Sequence, residues 1–372
     1  MAEPLKNMYH EAFLREFGTK VRRAYSPFQT ESFISDVLQE GWETLELKGR
    51  IRRITSVLGA HLPEPYADAL NVLFQIDEQC IGFPYLFFPD FVEVYGLSKR
   101  DWELSMRALE RFTTRSSAEF AIRAFIERDP ERAMKQMSEW ALHSNEHVRR
   151  LASEGCRPRL PWGQALPVFK RDPAPVLNVL KLLKADPSLY VRKSVANNLN
   201  DIAKDHPQLV IQTASSWIGA HPDTDWIVRH ACRTLVRKAV PEALALFGYA
   251  GEESGEPIAV SASIKANPTE LLIGGSCELI YNLQVREGDP ARIRVEYGIY
   301  FVKAKGKTSR KLFLLSDKTV HGGGVVSGQR THHFADLTTR KHYPGEHRIV
   351  LLVNGVEVAG TSLNLNSTTE AT

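Results

Sequence analysis

The 372-residue chain predicts a multidomain α + β protein, with an all-α HEAT-like repeat solenoid followed by an all-β immunoglobulin- or fibronectin-like sandwich. Three observations carry this expectation. The apolar pattern is helical up to about residue 248 and alternates with a period of two beyond it. A polar, glycine-rich stretch, Tyr249 to Pro257, separates the two regimes. Three segments of the first half also repeat one another. The length is about twice that of an ordinary domain, which favours two cores. The expected organisation is therefore 1–248, a linker at 249–257, and 258–372.

In the first half, Phe33, Val37, Leu38 and Trp42 recur at helical steps, as do Leu104, Ala108, Leu109 and Phe112, and then Phe120, Ala121, Ala124 and Phe125. Asp129-Pro130, Asp172-Pro173, Asp186-Pro187 and Pro222-Asp223 read as helix stops followed by proline near the next helix start. The repeated segments carry Val-Arg pairs at Val148-Arg149, Val191-Arg192 and Val228-Arg229, separated by 43 and 37 residues. That is the period of HEAT or armadillo helix pairs. Each valine and the residues three and four later should face the neighbouring repeat, leaving the arginine free for a concave surface.

In the second half, candidate strands are Ile258–Ala266, Ser276–Arg286, Arg292–Val302, Ser309–Leu315, Gln329–Ala335, His347–Val353 and Val356–Leu365. Turn signals such as Pro344-Gly345 and Asn354-Gly355 separate them. All six tryptophans fall at or before Trp226 and the only cysteine here is Cys277. The antibody Cys–Trp–Cys core is therefore absent, and a fibronectin-like relative fits better.

Composition narrows the function. Apolar residues make up 43% and charged residues 24% of the chain, ordinary for a globular protein. The longest apolar stretch, at Pro84–Pro89, cannot span a bilayer, and Met1 to Tyr9 lacks a signal-like apolar run. Four scattered cysteines with no CxxC pair argue against a zinc ribbon or disulfide scaffold, so a reduced cytoplasmic setting is expected. The net charge is only +3, but residues 145–193 hold ten Lys/Arg against four acids. A basic window in a near-neutral protein is the footprint of an anionic polymer.

Two further groups have plain readings. Gly306-Lys307-Thr308 resembles the tail of a P-loop, but Phe301 stands where the leading glycine belongs and no helix follows. His321, His332, His333, His342 and His347 lack HExxH or HxH spacing and are expected as surface histidines on strand edges. Lys303, Lys305, Lys307, Arg310 and Lys311 bring five bases without an acid. Alternation would set the first three on one face. That fits either a charge-protected edge strand or a hairpin gripping phosphates.

The densest chemistry lies in Ser153-Glu-Gly-Cys-Arg-Pro-Arg-Leu-Pro-Trp162. Two prolines stiffen an exposed connection, Arg157 and Arg159 offer guanidinium forks, and Trp162 offers a π-face to a base or cation. Glu154 is a carboxylate beside them. Glu119 falls in a first helical turn, where capping is the alternative role. Asp201 falls near a helix C-terminus, where the macrodipole opposes an acid.

That segment, with Ser188-Leu-Tyr-Val-Arg-Lys-Ser-Val-Ala-Asn-Asn-Leu-Asn-Asp201-Ile-Ala-Lys-Asp-His-Pro207, resembles the AlkC family, bacterial DNA-alkylation-repair glycosylases related to AlkD and built from HEAT-like repeats. The resemblance covers roughly residues 1–248, and a C-terminal immunoglobulin-like domain is similar to the longer branch of the family. It implies hydrolysis of the N-glycosidic bond of cationic 3-methyladenine and 3-methylcytosine in duplex DNA, without a deep flipping pocket. It implies catalytic roles for Glu119, Glu154, Trp162 and Asp201, with the labour among the acids left undivided. DNA contacts are expected from Arg149, Arg150, Arg157, Arg159, Arg192, Lys193 and Arg229, and from the Lys303, Lys305, Lys307, Arg310 and Lys311 group. The partner expected is alkylated duplex DNA, bound by a monomer with no cofactor, metal or membrane. A non-enzymatic repeat scaffold, and an AlkD-like enzyme for bulky or N7 adducts, are the competing expectations.

Overall fold

A computed structural model describes residues 4–251, 257–304, 306–337 and 340–367. The chain divides into two compact units, the first ending at Ala231 and the second beginning at Cys232.

The first unit is helical, and the three Val-Arg segments are its inner row. Helix Glu146–Gly155 packs on Leu189–Ile202, which packs on Pro222–Ala231. Helices Pro130–Trp140, Ala174–Leu182 and Pro207–Trp217 back this row. Val148, Val191 and Val228 are fully buried, as are Leu151, Ala152, Val195 and Ala231 at the following turns. Asp129 begins its helix as its sequence promised: its side chain accepts from the Arg132 N–H at 3.2 Å, with Pro130 at the first helical position.

The arginines of the repeat are not left free as expected. Arg149 donates to Asp186 at 2.6 and 3.1 Å and to the carbonyls of His143 and Ser144. Arg192 donates to the carbonyls of Asp186 and Pro187 and lies 3.2 Å from Asp223. In both cases the arginine ties two carbonyls of the loop that starts its own helix to the acid at the start of the next repeat. A guanidinium fork matches a carboxylate on one side and open carbonyls on the other, so these groups take it before solvent does.

The second unit holds a sandwich. One sheet has the order β1 (Ala259–Asn267), β3 (Ser276–Val285), β6 (Val325–His333). The other runs β2 (Glu270–Leu272), β8 (Val356–Asn366), β7 (Gly345–Val353), β4 (Ala291–Val302), β5 (Thr308–Val320), antiparallel except for β2 beside β8. Leu283, Ile293, Val295, Ile299, Ile349 and Leu351 fill the space between the sheets. Asn354 and Gly355 both take positive φ in the tight β7–β8 turn, as an Asn-Gly hairpin requires. The short helices Arg233–Arg237 and Pro241–Leu246 belong with this unit. Arg292 donates to the Phe247 carbonyl at 3.0 Å and Asn354 to that of Ala250 at 2.8 Å. The expected linker thus starts inside the second unit's hydrogen bonding, while its residues 252–256 lie outside the described residues.

Two expectations need correction. His332, His342 and His347 are buried around Phe301 and Phe334, not on strand edges; only His321 and His333 are exposed. Alternation along β6 turns His332 inward, where Tyr297 OH meets its Nδ1 at 3.0 Å. The lysine cluster does not alternate along a strand. Lys303 and Lys307 lie in the turn between β4 and β5, closed by the Lys303 N–H on the Lys307 carbonyl at 2.8 Å and by Gly306 at φ +72°. Lys305 lies outside the described residues.

Candidate active site

The three acids singled out by the sequence sit on one line of alternating charge. Glu119 lies in the turn before helix Ile122–Arg128, one step earlier than the first helical turn expected for it. Arg150, on the inner helix Glu146–Gly155, donates to its two carboxylate oxygens at 3.2 and 3.4 Å. The same guanidinium is 3.7 Å from Glu154, which ends that helix. Glu154 accepts from Arg157 at 2.6 Å and from the Ser194 hydroxyl at 2.6 Å. Arg157 reaches Asp201 at 2.8 Å, and Lys204 closes the line at 2.8 Å from the other Asp201 oxygen.

Burial makes this line electrostatically significant. Glu119, Glu154, Arg157 and Asp201 are all less than a tenth exposed. Burial alone would pull the pKa of Arg150 and Arg157 down, but the flanking carboxylates hold both above the ordinary value. Buried acids and bases that alternate satisfy one another; loss of any member strands its neighbours. This also answers the macrodipole objection to Asp201, because Arg157 and Lys204 supply the positive charge that the helix end does not.

The line opens on a cleft of about 660 Å³ whose walls include Glu119, Arg150, Glu154, Phe83, Trp162 and Tyr190. Trp162 is 64% exposed and holds φ at +62°. A bulky residue in that region of φ/ψ is strained, so the connection holds its backbone against a local preference. Arg150 stacks over the Tyr190 ring at 4.8 Å, and Tyr190 meets His147 edge-on at 5.6 Å. Glu119, Glu154 and Trp162 are thus brought to one cavity. Asp201 is not on its wall and stands one guanidinium behind Glu154.

The residues expected to bind DNA divide into two groups. Arg149, Arg150, Arg157, Arg159 and Arg192 are each paired with a carboxylate, Arg159 with Asp205 at 2.7 and 3.1 Å. Arg157 is buried between two acids and has no open face for a phosphate. Lys193, Arg229, Lys303, Lys307, Arg310 and Lys311 are exposed. Arg310 is shared with Glu357 at 2.7 Å, and Lys311 lies over the Phe313 ring. Sequence reasoning missed Tyr190 and Phe83. The first was legible: His147 and Tyr190 each precede the valine of a repeat copy, and both line the cleft. Phe83 comes from a distant turn with no repeat to announce it.

Among the described residues, no group of three or more His, Cys, Asp or Glu is placed to hold a metal ion, and no helix is long and apolar enough to cross a membrane. Residues 67–235 match the family described as DNA alkylation repair enzyme, and residues 260–367 match the C-terminal Ig-like domain described for the uncharacterised protein YhaZ. The Bacillus subtilis protein YhaZ, itself uncharacterised, is 44% identical over 351 residues, 94% of this chain and 96% of that protein. The structure of Pseudomonas fluorescens alkylpurine DNA glycosylase AlkC, bound to DNA containing an abasic-site analogue, is 37% identical. It superposes with a TM-score of 0.90 over 98% of this chain and 100% of that one. The helical repeat, the appended sandwich and these similarities together show that the chain belongs to the AlkC-like family of DNA alkylation repair enzymes, in its long form with a C-terminal immunoglobulin-like domain.

Proposed function

We propose that this protein is a monofunctional DNA glycosylase that hydrolyses the N-glycosidic bond of cationic N3-methylated bases, 3-methyladenine and 3-methylcytosine, in duplex DNA. The observation that carries this is the cleft's charge. Glu119, Glu154 and Arg150 face it together and sum to one negative charge beside an exposed tryptophan face, while Arg115, also on the wall, is paired with Asp77 and Glu78. That combination suits a single positive charge travelling from base to sugar. The open cleft also suits a lesion met on the DNA surface rather than one engulfed in a pocket.

A base methylated at N3 is already positively charged and leaves without a strong general acid. As the C1′–N bond breaks, its electron pair passes to the base nitrogen, which becomes neutral, and the sugar becomes oxocarbenium-like. Glu119 and Glu154, both buried on the cleft wall, stabilise that cation electrostatically. Water then adds its oxygen to C1′ and gives its proton to a cleft carboxylate and on to solvent, leaving an abasic site. Trp162 favours the cationic base over neutral ones through its π-face, an effect of about 0.5–2 kcal/mol. Asp201 acts from behind: with Arg157 it fixes the orientation of Glu154.

The test is release of free base from methylated duplex DNA by the purified chain with chelator present, resolved by chromatography. Appearance of 3-methyladenine, lost in Glu154→Gln, supports the reading. DNA binding with no base released would leave a non-enzymatic DNA-binding scaffold. Release confined to N7 or bulky adducts would move the substrate class.

A further inference from the structure

Arg123 lies outside the acid–arginine line and has a different kind of partner. It sits at the start of helix Ile122–Arg128, four residues after Glu119, and is 3% exposed. Its guanidinium donates to three backbone carbonyls: Gly155 at 2.9 Å, Arg157 at 2.8 Å, and Gln164 through two nitrogens, one of them at 2.8 Å. Among the described residues no carboxylate forms a salt bridge with it. Burial pulls its pKa down to about 10, still well above neutrality, so it remains a buried cation hydrogen-bonded only to carbonyls among the described residues, with Glu127 and Asp201 favouring its charge without a salt bridge. Such a cation is costly to bury without an acid, and what it gains here is geometry.

Those three carbonyls belong to the segments that build the cleft. Gly155 ends the helix that carries Glu154, Arg157 follows two residues after it, and Gln164 lies two residues beyond Trp162. The helix of Arg123 is entered through the turn that carries Glu119. Packing fixes only the first half of the connection, where Pro158 and Leu160 are buried, and leaves Pro161, Trp162 and Gln164 exposed. A second cavity of about 370 Å³, lined by Arg123, Lys48, Phe120, Gly163 and Gln164, lies against it. Beyond Arg157, the connection's other ties among the described residues are two backbone closures, Gly163 N–H to the Leu160 carbonyl at 3.0 Å and Leu166 N–H to that of Pro158 at 3.1 Å, and the Arg159 side chain on Asp205, all of them before Trp162 or across it rather than on it. With Trp162 at positive φ, the segment has both a reason and the room to relax.

We propose that Arg123 is a positioning residue for base excision: its guanidinium sets Trp162 relative to Glu154 and Glu119 by holding the two ends of the Arg157–Gln164 connection. This rests on the glycosylase reading. A misplacement of about 1 Å at a reacting centre costs on the order of a hundredfold in rate, whereas the exposed bases Lys193, Arg229, Lys303 and Lys307 lie outside the clamped connection.

The experiment compares wild type, Arg123→Met and Arg123→Lys, all labelled with 5-fluorotryptophan. It measures single-turnover excision, affinity for abasic-site DNA, and the ¹⁹F resonance of Trp162, assigned with Trp162→Phe. Arg123→Met is expected to lose excision by on the order of a hundredfold while DNA affinity changes less than about twofold. The Trp162 resonance alone among the six tryptophans should shift or broaden. Arg123→Lys, which keeps the charge but reaches fewer carbonyls, should recover part of both. A folded Arg123→Met with wild-type excision and an unmoved Trp162 resonance would overturn the proposal. Should Arg123→Met disturb all six resonances, Arg123→Lys decides alone: wild-type excision and an unmoved Trp162 resonance overturn the clamp, and a fall confined to Trp162 supports it. Absence of excision by wild type would instead count against the glycosylase reading, with the resonance still reporting on the clamp.

Discussion

Glu154 and Asp201 accept hydrogen bonds from the same guanidinium: Arg157 reaches a Glu154 oxygen at 2.6 Å and an Asp201 oxygen at 2.8 Å. Only Glu154 faces the cleft. If Asp201 acts through Arg157, its loss and the loss of Glu154 cannot be independent. Asp201→Asn is expected to slow excision by about ten- to a hundredfold with DNA affinity nearly unchanged. The double variant with Glu154→Gln should be no slower than Glu154→Gln alone. Single-turnover rates around this cycle decide it, and additive losses would put Asp201 on the reacting atoms.

Removal of the shared arginine has a different signature. Arg157→Met leaves two buried carboxylates with one bridging cation fewer, and breaking such an arrangement costs about 3–5 kcal/mol. Chemical denaturation should show that loss in the first unit. Restoration by the added change Asp201→Asn would identify stranded charge as the cause; no restoration would point to lost packing.

The charge of the cleft can be read by ligand rather than by rate. Glu119→Gln moves the sum of Glu119, Arg150 and Glu154 from one negative charge to zero. DNA carrying a cationic pyrrolidine in place of the sugar should bind at least about tenfold more weakly to this variant, since unit charges roughly 4 Å apart interact by about 1 kcal/mol in water and about 4 kcal/mol at an effective dielectric of about 20. DNA carrying a neutral tetrahydrofuran should bind as before. Equal losses for both ligands would mean that Glu119 shapes the cleft without charging it.

How much of this was legible beforehand depended on whether a residue's partner was near in sequence or periodic. The repeat was legible because Val148, Val191 and Val228 each occupy the same buried position at a nearly constant spacing. The fates of Arg149 and Arg192 were not, because the acids that take them, Asp186 and Asp223, belong to the next repeat. In the sandwich, β2 is three residues long and too short to show a period. The second half of β5, Ser316-Asp317-Lys318-Thr319, is polar throughout, so its alternation vanished after Leu315. Of the site, Glu119, Glu154 and Trp162 carried a family resemblance that composition could not supply. The alternation of acids with Arg150 and Arg157 needed the fold, since it links residues up to 44 positions apart.

Trp162 offers a test that separates stability from activity. At φ +62° glycine is at ease and tryptophan is not, a difference of about 1 kcal/mol or more. Trp162 is also largely exposed, so little burial is lost with it. Trp162→Gly is therefore expected to unfold at equal or slightly higher denaturant concentration than wild type. Its excision of 3-methyladenine should fall by about 3- to 30-fold, the rate equivalent of a lost cation–π contact. A clearly destabilised variant would mean that the ring packs more than its exposure indicates.

The hairpin between β4 and β5 makes a prediction about salt. Lys303 and Lys307 are exposed in its turn, unlike the arginines of the repeat, which are already paired. If this turn meets phosphates, replacing both with alanine should reduce the slope of log affinity against log salt by about 1.8, roughly 0.9 per lysine. Binding to undamaged duplex at several salt concentrations measures it. An unchanged slope removes the hairpin from the DNA contact and leaves Lys193 and Arg229 as the next residues to test.

The buried histidines make the sandwich sensitive to acid. Burial pushes the pKa of His332 down to about 4 from an ordinary 6.5, and its Nε2 has no hydrogen-bond partner among the described residues. The unfolded chain takes up a proton near pH 6.5 while the folded one resists until about pH 4. The stabilisation is therefore complete above pH 6.5 and is lost progressively as the pH falls toward 4, by roughly 3 kcal/mol in total. His342 and His347, also lowered by burial, add in the same direction. Urea unfolding followed by circular dichroism is the suitable measurement, because all six tryptophans lie at or before Trp226 and fluorescence reports on the other unit. His332→Phe should flatten the dependence of the sandwich transition between pH 6.5 and 4. A variant as acid-sensitive as wild type would assign that dependence to His342 and His347, or to the carboxylates that titrate in the same range.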